Sequence, residues 1–400
     1  MKRRTKPGGA LRFSGSLGAV LGALLPLVLA FAGSAGSGAS ARPTPVEVII
    51  PAPPVPVAAE GKRVLAYELH ITNFGRDPLR LQRIEVYGGD AERPLASFEG
   101  AALAQMVSLV GQPMKMSMSA EKEPDASPDL DPGRRLIVFL WLTLPLPERV
   151  PASLRHRLSF TVEGGERAGK ASEIGGIVSP VVSEGAPPLL EPPLRSGEWL
   201  AGNGPGNSSD HRRAIVPLDG RVYIAQRFAT DWMRVGKNTN TFHDSRGKNE
   251  NFWGYGQPVY AVADGEVTEA VDEFPDHPPG ELPQPVTLEN IAGNHVILRI
   301  APGRYVLFAH LKAGSVRVRL HQHVTAQDVI GEVGDSGQAT APHLHFQVMD
   351  GNSPLGAEGV PYLFRSFTFL GLGRDFEEDK HPSVPRRDEL PLDDAVVAFR

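Results

Sequence analysis

The sequence predicts a mainly β protein, and three observations carry that prediction. Leu65, Tyr67, Leu69 and Ile71 alternate with Ala66, Glu68, His70 and Thr72, the two-residue period of a half-buried strand. Leu136-Ile137-Val138-Phe139-Leu140-Trp141-Leu142 is an unbroken apolar run suited to a central strand. Short strand-like runs are separated by Gly, Pro and Asp turns, and no long segment has a helical apolar period.

The chain opens on Lys2, Arg3, Arg4, Lys6 and Arg12, followed by an apolar segment over about 17–33 and a small-residue site, Ala39-Ser40-Ala41. Residues 1–41 therefore read as a signal peptide; an uncleaved anchor is the alternative. Its loss removes five positive charges and moves the formal net charge from -5 to -10. A mildly acidic exported chain has no electrostatic reason to seek nucleic acid. Cysteine is absent, which excludes disulfides, lipidation on Cys and thiolate zinc sites. A metal in this protein must be held by His, Asp or Glu. Export without disulfides fits a bacterial periplasm or cell envelope.

Residues 42–60 form an extended lead-in rich in Pro, Ala and Val, within a β-sandwich-like domain expected over 42–182. Asn73-Phe74-Gly75-Arg76 breaks the first long strand, and Leu79, Leu81, Ile84 and Val86 begin the next. Arg157-Leu158-Ser159-Phe160-Thr161-Val162 supplies another. His70 and His156 are expected on strand surfaces. No catalytic constellation is visible here, and an envelope partner is the expected role for this domain. Pro187, Pro188, Pro192 and Pro193 mark 183–199 as a linker. A second domain is expected over 200–373, and 374–400, charged and broken by prolines, is expected to be a surface tail.

The chemistry concentrates in that second domain, where nine of the twelve histidines lie between His211 and His345. In Pro342-His343-Leu344-His345-Phe346 two imidazoles stand two residues apart, so a strand aims both into one pocket. His310 ends the apolar run Tyr305-Val306-Leu307-Phe308-Ala309 and offers a third. Imidazole is the commonest zinc ligand and the usual general base near neutral pH. The pattern reads as a metal-dependent hydrolytic site.

Six ordered segments between about 200 and 368 resemble the lysostaphin/LytM-type zinc metallopeptidases of bacterial cell walls. They are Arg227-Phe228-Ala229-Thr230-Asp231, Gly256 to Val267, Gly293-Asn294-His295-Val296, Ala309-His310-Leu311, Val329 to Gly334, and Ser336-Gly337 leading to His343-Leu344-His345-Phe346. The resemblance implies an antiparallel β-sheet domain with its site in a groove, zinc as cofactor, and a peptidoglycan peptide as substrate. It matches the ligands to Asp231 and His345, and the catalytic pair to His310 and His343. The family's first ligand histidine stands four residues before the Asp, where this chain has Arg227. A guanidinium cannot ligate zinc. Two turn glycines of the pattern are replaced by His321 and Gln327.

The missing ligand has two candidates. Asp219-Gly220 reads as a hairpin tip. A three-residue loop there would set His211 across from Arg227 on the face of Asp231, whereas a two-residue loop would turn it to the other face. His243, in the polar insertion after Asp231, is the second candidate. The alternative is that Asp231 pairs with Arg227 and closes the pocket. Three functions therefore compete: a zinc endopeptidase acting on peptidoglycan, a metal-free relative that binds cell wall or regulates another wall hydrolase, and a structural envelope protein.

Overall fold

A computed structural model describes residues 44–111, 127–146, 148–181, 186–376 and 382–399; the expected signal peptide lies outside them. Among the described residues no helix is long and apolar enough to cross a membrane. The first part is a sandwich of two five-stranded sheets. One has the order Val46–Ile49, Lys62–Asn73, Arg135–Pro145, Val107–Leu109, with Val57–Ala59 paired to Lys62–Asn73. The other runs Ala171–Pro180, Ser153–Val162, Leu79–Gly88, Ala96–Glu99, with Asp129–Leu130 beside Leu79–Gly88. Leu65, Tyr67, Leu69 and Ile71 meet Leu81, Ile84, Leu158 and Phe160 between the sheets. The period-two reading placed this face correctly.

The opposite face of the first sheet is buried as well, which explains the unbroken apolar run. Ile137 and Phe139 pack with Ile224, and Val64 and Ala66 join the core of the second part. The described residues from 44 onward form one compact unit, and the first sheet is an inner layer. This corrects the expectation for both histidines. His70 is covered by the second part, and His156 lies between the sheets, in phase with Leu154, Leu158 and Phe160. His156 Nε2 faces the Tyr67 hydroxyl at 2.7 Å and Nδ1 faces the Ile177 carbonyl at 3.0 Å.

The second part is built on a ten-stranded antiparallel sheet. Its order is His323–Val324, Gly265–Val271, Asn294–Ala301, Arg304–Leu311, Leu344–Met349, Thr230–Val235, Glu198–Gly202, Ala395–Ala398, Phe367–Leu372, Val384–Arg386. The segments expected to be linker and tail are thus woven into the sheet. Glu198–Gly202 and Ala395–Ala398 are inner strands, and Val396, Val397 and Phe399 are buried. Charge and proline density around 374–394 hid a four-residue apolar strand behind them. Leu189–Leu190 also pairs, in parallel, with Leu363–Phe364.

Candidate metal centre

Three neighbouring strands set the pocket. Leu344–Met349 lies between Arg304–Leu311 and Thr230–Val235, in a register that puts His345 opposite both Asp231 and Ala309. Directly opposed residues share a face, so Asp231 and His345 project together. The same rule sends His310, next to Ala309, to the other face. Its backbone escapes the rule: His310 has φ of 60°, in the left-handed region that β-type residues avoid. This turn brings its ring to 4.9 Å from His343 and 5.8 Å from His345. The loop beneath is packed so closely that a Cβ on Gly334 would collide with the Lys312 backbone. That packing holds the Ser336 carbonyl against His310 Nδ1 at 2.8 Å.

His211 joins the group by a route the sequence reading did not foresee. The hairpin has a two-residue tip, with Leu218 opposite Arg221, and ends at the Val216–Tyr223 pair. Its register never reaches His211. Instead the residue sits on a four-residue helix, Asp210–Arg213, that folds back over the sheet. Its Nε2 lies 3.5 Å from Asp231 Oδ2, and its ring stands edge-on to His345 at 4.8 Å. His211, Asp231 and His345 offer ligand atoms all within 4.8 Å of one another. His243 lies outside this group, paired with Asp244 at 3.0 Å and tilted against the Trp253 ring at 4.7 Å.

Arg227 is turned away from the pocket. It is buried against Glu68 of the sandwich, at 2.9 Å, and Glu358, at 2.7 Å, and donates to the Gly359 carbonyl at 2.9 Å. The alternative in which it pairs with Asp231 does not hold, because nearer carboxylates claim both of its faces. His321 and Gln327 have φ of 65° and 80°, the backbone that glycine adopts at such turns.

The hydrogen bonds determine which ring nitrogens carry lone pairs. His211 Nδ1–H donates to the Asn203 carbonyl at 2.8 Å, and His343 Nδ1–H to the Ala341 carbonyl at 2.7 Å. His345 Nε2–H donates to Gln347 Oε1 at 2.9 Å. The remaining nitrogens lie 3.5, 3.3 and 2.9 Å from Asp231 oxygens; each donates to the carboxylate when its ring is protonated and offers a lone pair when it is neutral. Acceptors this close repel unless a proton or metal cation lies among them. Donor atoms about 2.0–2.2 Å from a tetrahedral zinc stand about 3.5 Å apart, so the spacings and the His/Asp chemistry fit that ion. Asn203 Nδ2, 3.1 Å from Asp231 Oδ2, supplies one compensating donor.

The electrostatics agree. Burial alone would raise the Asp231 carboxyl, but His211, His343 and His345 hold it well below the usual range. Burial lowers His211 to about 4 against the attraction of Asp231. His310 is pushed well below its ordinary value by burial and by repulsion from His343 and His345. His343 is also penalised by burial, yet the Asp231 charge raises it overall. The sequence reading missed Asn203 and Gln347. Gln347 was detectable, two residues from His345 on the same strand face; Asn203 was not, because only the fold brings its loop to Asp231.

Fold and donor set together give a β-sheet protein in which His211, Asp231 and His345 stand close enough that they could hold a metal ion. Residues 252–356 match the family model described as Peptidase family M23, and the chain carries a domain of that family. The matched span contains His310, His343 and His345, while His211 and Asp231 precede it. The chain is 34% identical over 105 residues to the DD-carboxypeptidase/endopeptidase Mpg of Neisseria meningitidis, covering 26% of this chain and 20% of that protein. It is 31% identical over 93 residues to the cell division protein DipM of Caulobacter vibrioides, covering 23% of this chain and 12% of that one. The chain thus spans about a fifth or less of the curated relatives it matches. Among solved structures it resembles the catalytic domain of lysostaphin from Staphylococcus simulans, at 21% identity and TM-score 0.22, over 40% of this chain and 84% of that one.

Proposed function

We propose that this protein is an exported zinc-dependent endopeptidase that hydrolyses peptide bonds of bacterial peptidoglycan. Asp231, His345 and His211 would hold the ion. The observation that carries the reading is the convergence of three imidazole nitrogens on one buried carboxylate, each ring locked by a hydrogen bond at its other nitrogen. Such locking fixes tautomer and direction before a cation arrives. Zinc held by three protein ligands supplies Lewis acidity and an activated water in its open position.

The remaining histidines divide the proton work. His343 Nε2 faces Asp231, whose charge favours the imidazolium, so in the neutral ring this nitrogen is suited to accept the proton of the attacking water. The same proton can then pass to the leaving amine. His310 stays neutral, with Nδ1–H held by the Ser336 carbonyl and Nε2 free as an acceptor. It orients water by accepting a hydrogen bond and does not compete for the proton. Asp231 cannot serve as base, because the surrounding rings keep it ionised and engaged.

Elemental analysis of the purified full chain tests the reading. Zinc near one per chain, lost in His345→Ala, together with release of peptide fragments from purified sacculi, supports it. Sacculus binding with no zinc under saturating metal would instead make the chain a metal-free wall-binding relative.

A further inference from the structure

The helix that delivers His211 has four residues, too few to hold itself in place. What holds it belongs to the sandwich. Arg212, the next residue, is fully buried, with Nη1 on Glu68 Oε1 and Nη2 3.0 Å from the Tyr67 carbonyl. Arg213 adds a hydrogen bond to the Gln105 carbonyl at 2.6 Å. Asn207, at the start of the same loop, donates to the Phe139 carbonyl at 2.9 Å. Three side chains of one short loop therefore grip the sandwich, while the fourth, His211, points into the pocket.

We propose that Arg212, clamped by Glu68 and the Tyr67 carbonyl, is a positioning residue that holds His211 in the metal pocket, so that the sandwich sets the metal affinity of the peptidase-like half. A guanidinium engaged by a carboxylate on one nitrogen and a carbonyl on another is fixed in direction as well as place. Fixing Arg212 fixes the adjacent backbone, and the Asn203 carbonyl then sets the His211 ring. Arg227 shares Glu68 with Arg212, but its other hydrogen bonds go to Glu358 and the Gly359 carbonyl rather than to the carbonyls that hold this loop. The proposal rests on the reading of His211 as a ligand.

The test is the zinc dissociation constant of the full chain, measured by chelator competition, with near-ultraviolet circular dichroism confirming the fold of each variant. Arg212→Met is expected to weaken zinc about 10–100-fold, the range for partners that orient a metal ligand. Arg227→Met removes an equal buried charge from the same network but leaves Arg212 both Glu68 and the Tyr67 carbonyl, so its loss is expected to stay within about twofold and well below that of Arg212→Met. In a His211→Ala background, Arg212→Met should add no more than that twofold loss, because its effect passes through the missing imidazole. Should Arg212→Met fail to fold, Arg212→Lys retains the charge for Glu68 and loses the carbonyl contact; a loss of about 10-fold is expected. Unchanged affinity in the Arg212 variants, or an equal loss with and without His211, overturns the positioning role. If His211→Ala itself leaves affinity unchanged, the ligand reading has failed first, and the proposal falls with it.

Discussion

Two buried polar clusters meet at neighbouring residues of the chain, and they are balanced in opposite ways. The one around Glu68 joins two carboxylates, Glu68 and Glu358, to two guanidiniums, Arg212 and Arg227. Its carboxylates and guanidiniums pair with one another in charge, although Arg212 Nε is left without a hydrogen-bond partner. The one around Asp231 joins a carboxylate to three imidazole nitrogens. With those rings neutral it is short of positive charge, and a proton or a metal cation would supply it. The step from His211 to Arg212 crosses from one to the other. The difference teaches that a buried polar group reveals its purpose through what its partners leave unsatisfied.

The strongest test of that contrast is His345→Ala. It removes a donor from the unbalanced cluster and should lower zinc affinity by more than about 100-fold, beyond the range of outer partners, with sacculus hydrolysis falling to background. Retention of zinc would show that the acceptors do not form a metal site. On the balanced side, Glu68→Leu strands two buried guanidiniums and should cost about 3–5 kcal/mol in urea unfolding. A change below 1 kcal/mol, of the order of an exposed pair, would mean the cluster is not closed as described.

Acid should act on both sides in the chelator-treated protein. Burial holds His70 and His211 near 4, against the ordinary 6.5. Between those values the unfolded chain binds protons that the folded one does not, so stability falls as pH drops from about 6.5 towards 4. The loss is about 2 kcal/mol or more, read from urea midpoints across that window. Saturating zinc should oppose it, because bound imidazole must be neutral. Gln347→Ala frees the tautomer of His345 and should weaken zinc about 10-fold in chelator competition. The smallest effect is expected from His243→Ala, outside the donor group and partnered by Asp244, with zinc affinity within about twofold of the parent.

The sheet registers show where sequence reading works. Alternation alone assigned the inner face of Lys62–Asn73, and the two-residue spacing of His343 and His345 put both at one pocket. Alternation failed at His310, where a single left-handed residue reverses the side chain, and at His70, where a second layer buries what one sheet would leave exposed. His156 is a different failure. Its phase with Leu154 and Phe160 was visible, but a polar residue type was weighed above its position.

Residue order by itself determined the donors: a carboxylate, a pair of alternating imidazoles, and the absence of thiolates. It also determined the β class, because side-chain alternation is a local property of the extended backbone. Only the tertiary structure decided that His211 stands with Asp231, that Arg227 turns to a carboxylate 159 positions earlier in the chain, and that Ala395–Ala398 lies between Glu198–Gly202 and Phe367–Leu372 in the sheet. Those outcomes depend on which distant surfaces bury one another. Local periodicity carries no record of such a partner, and a shift of one residue in pairing or one backbone angle is enough to change it.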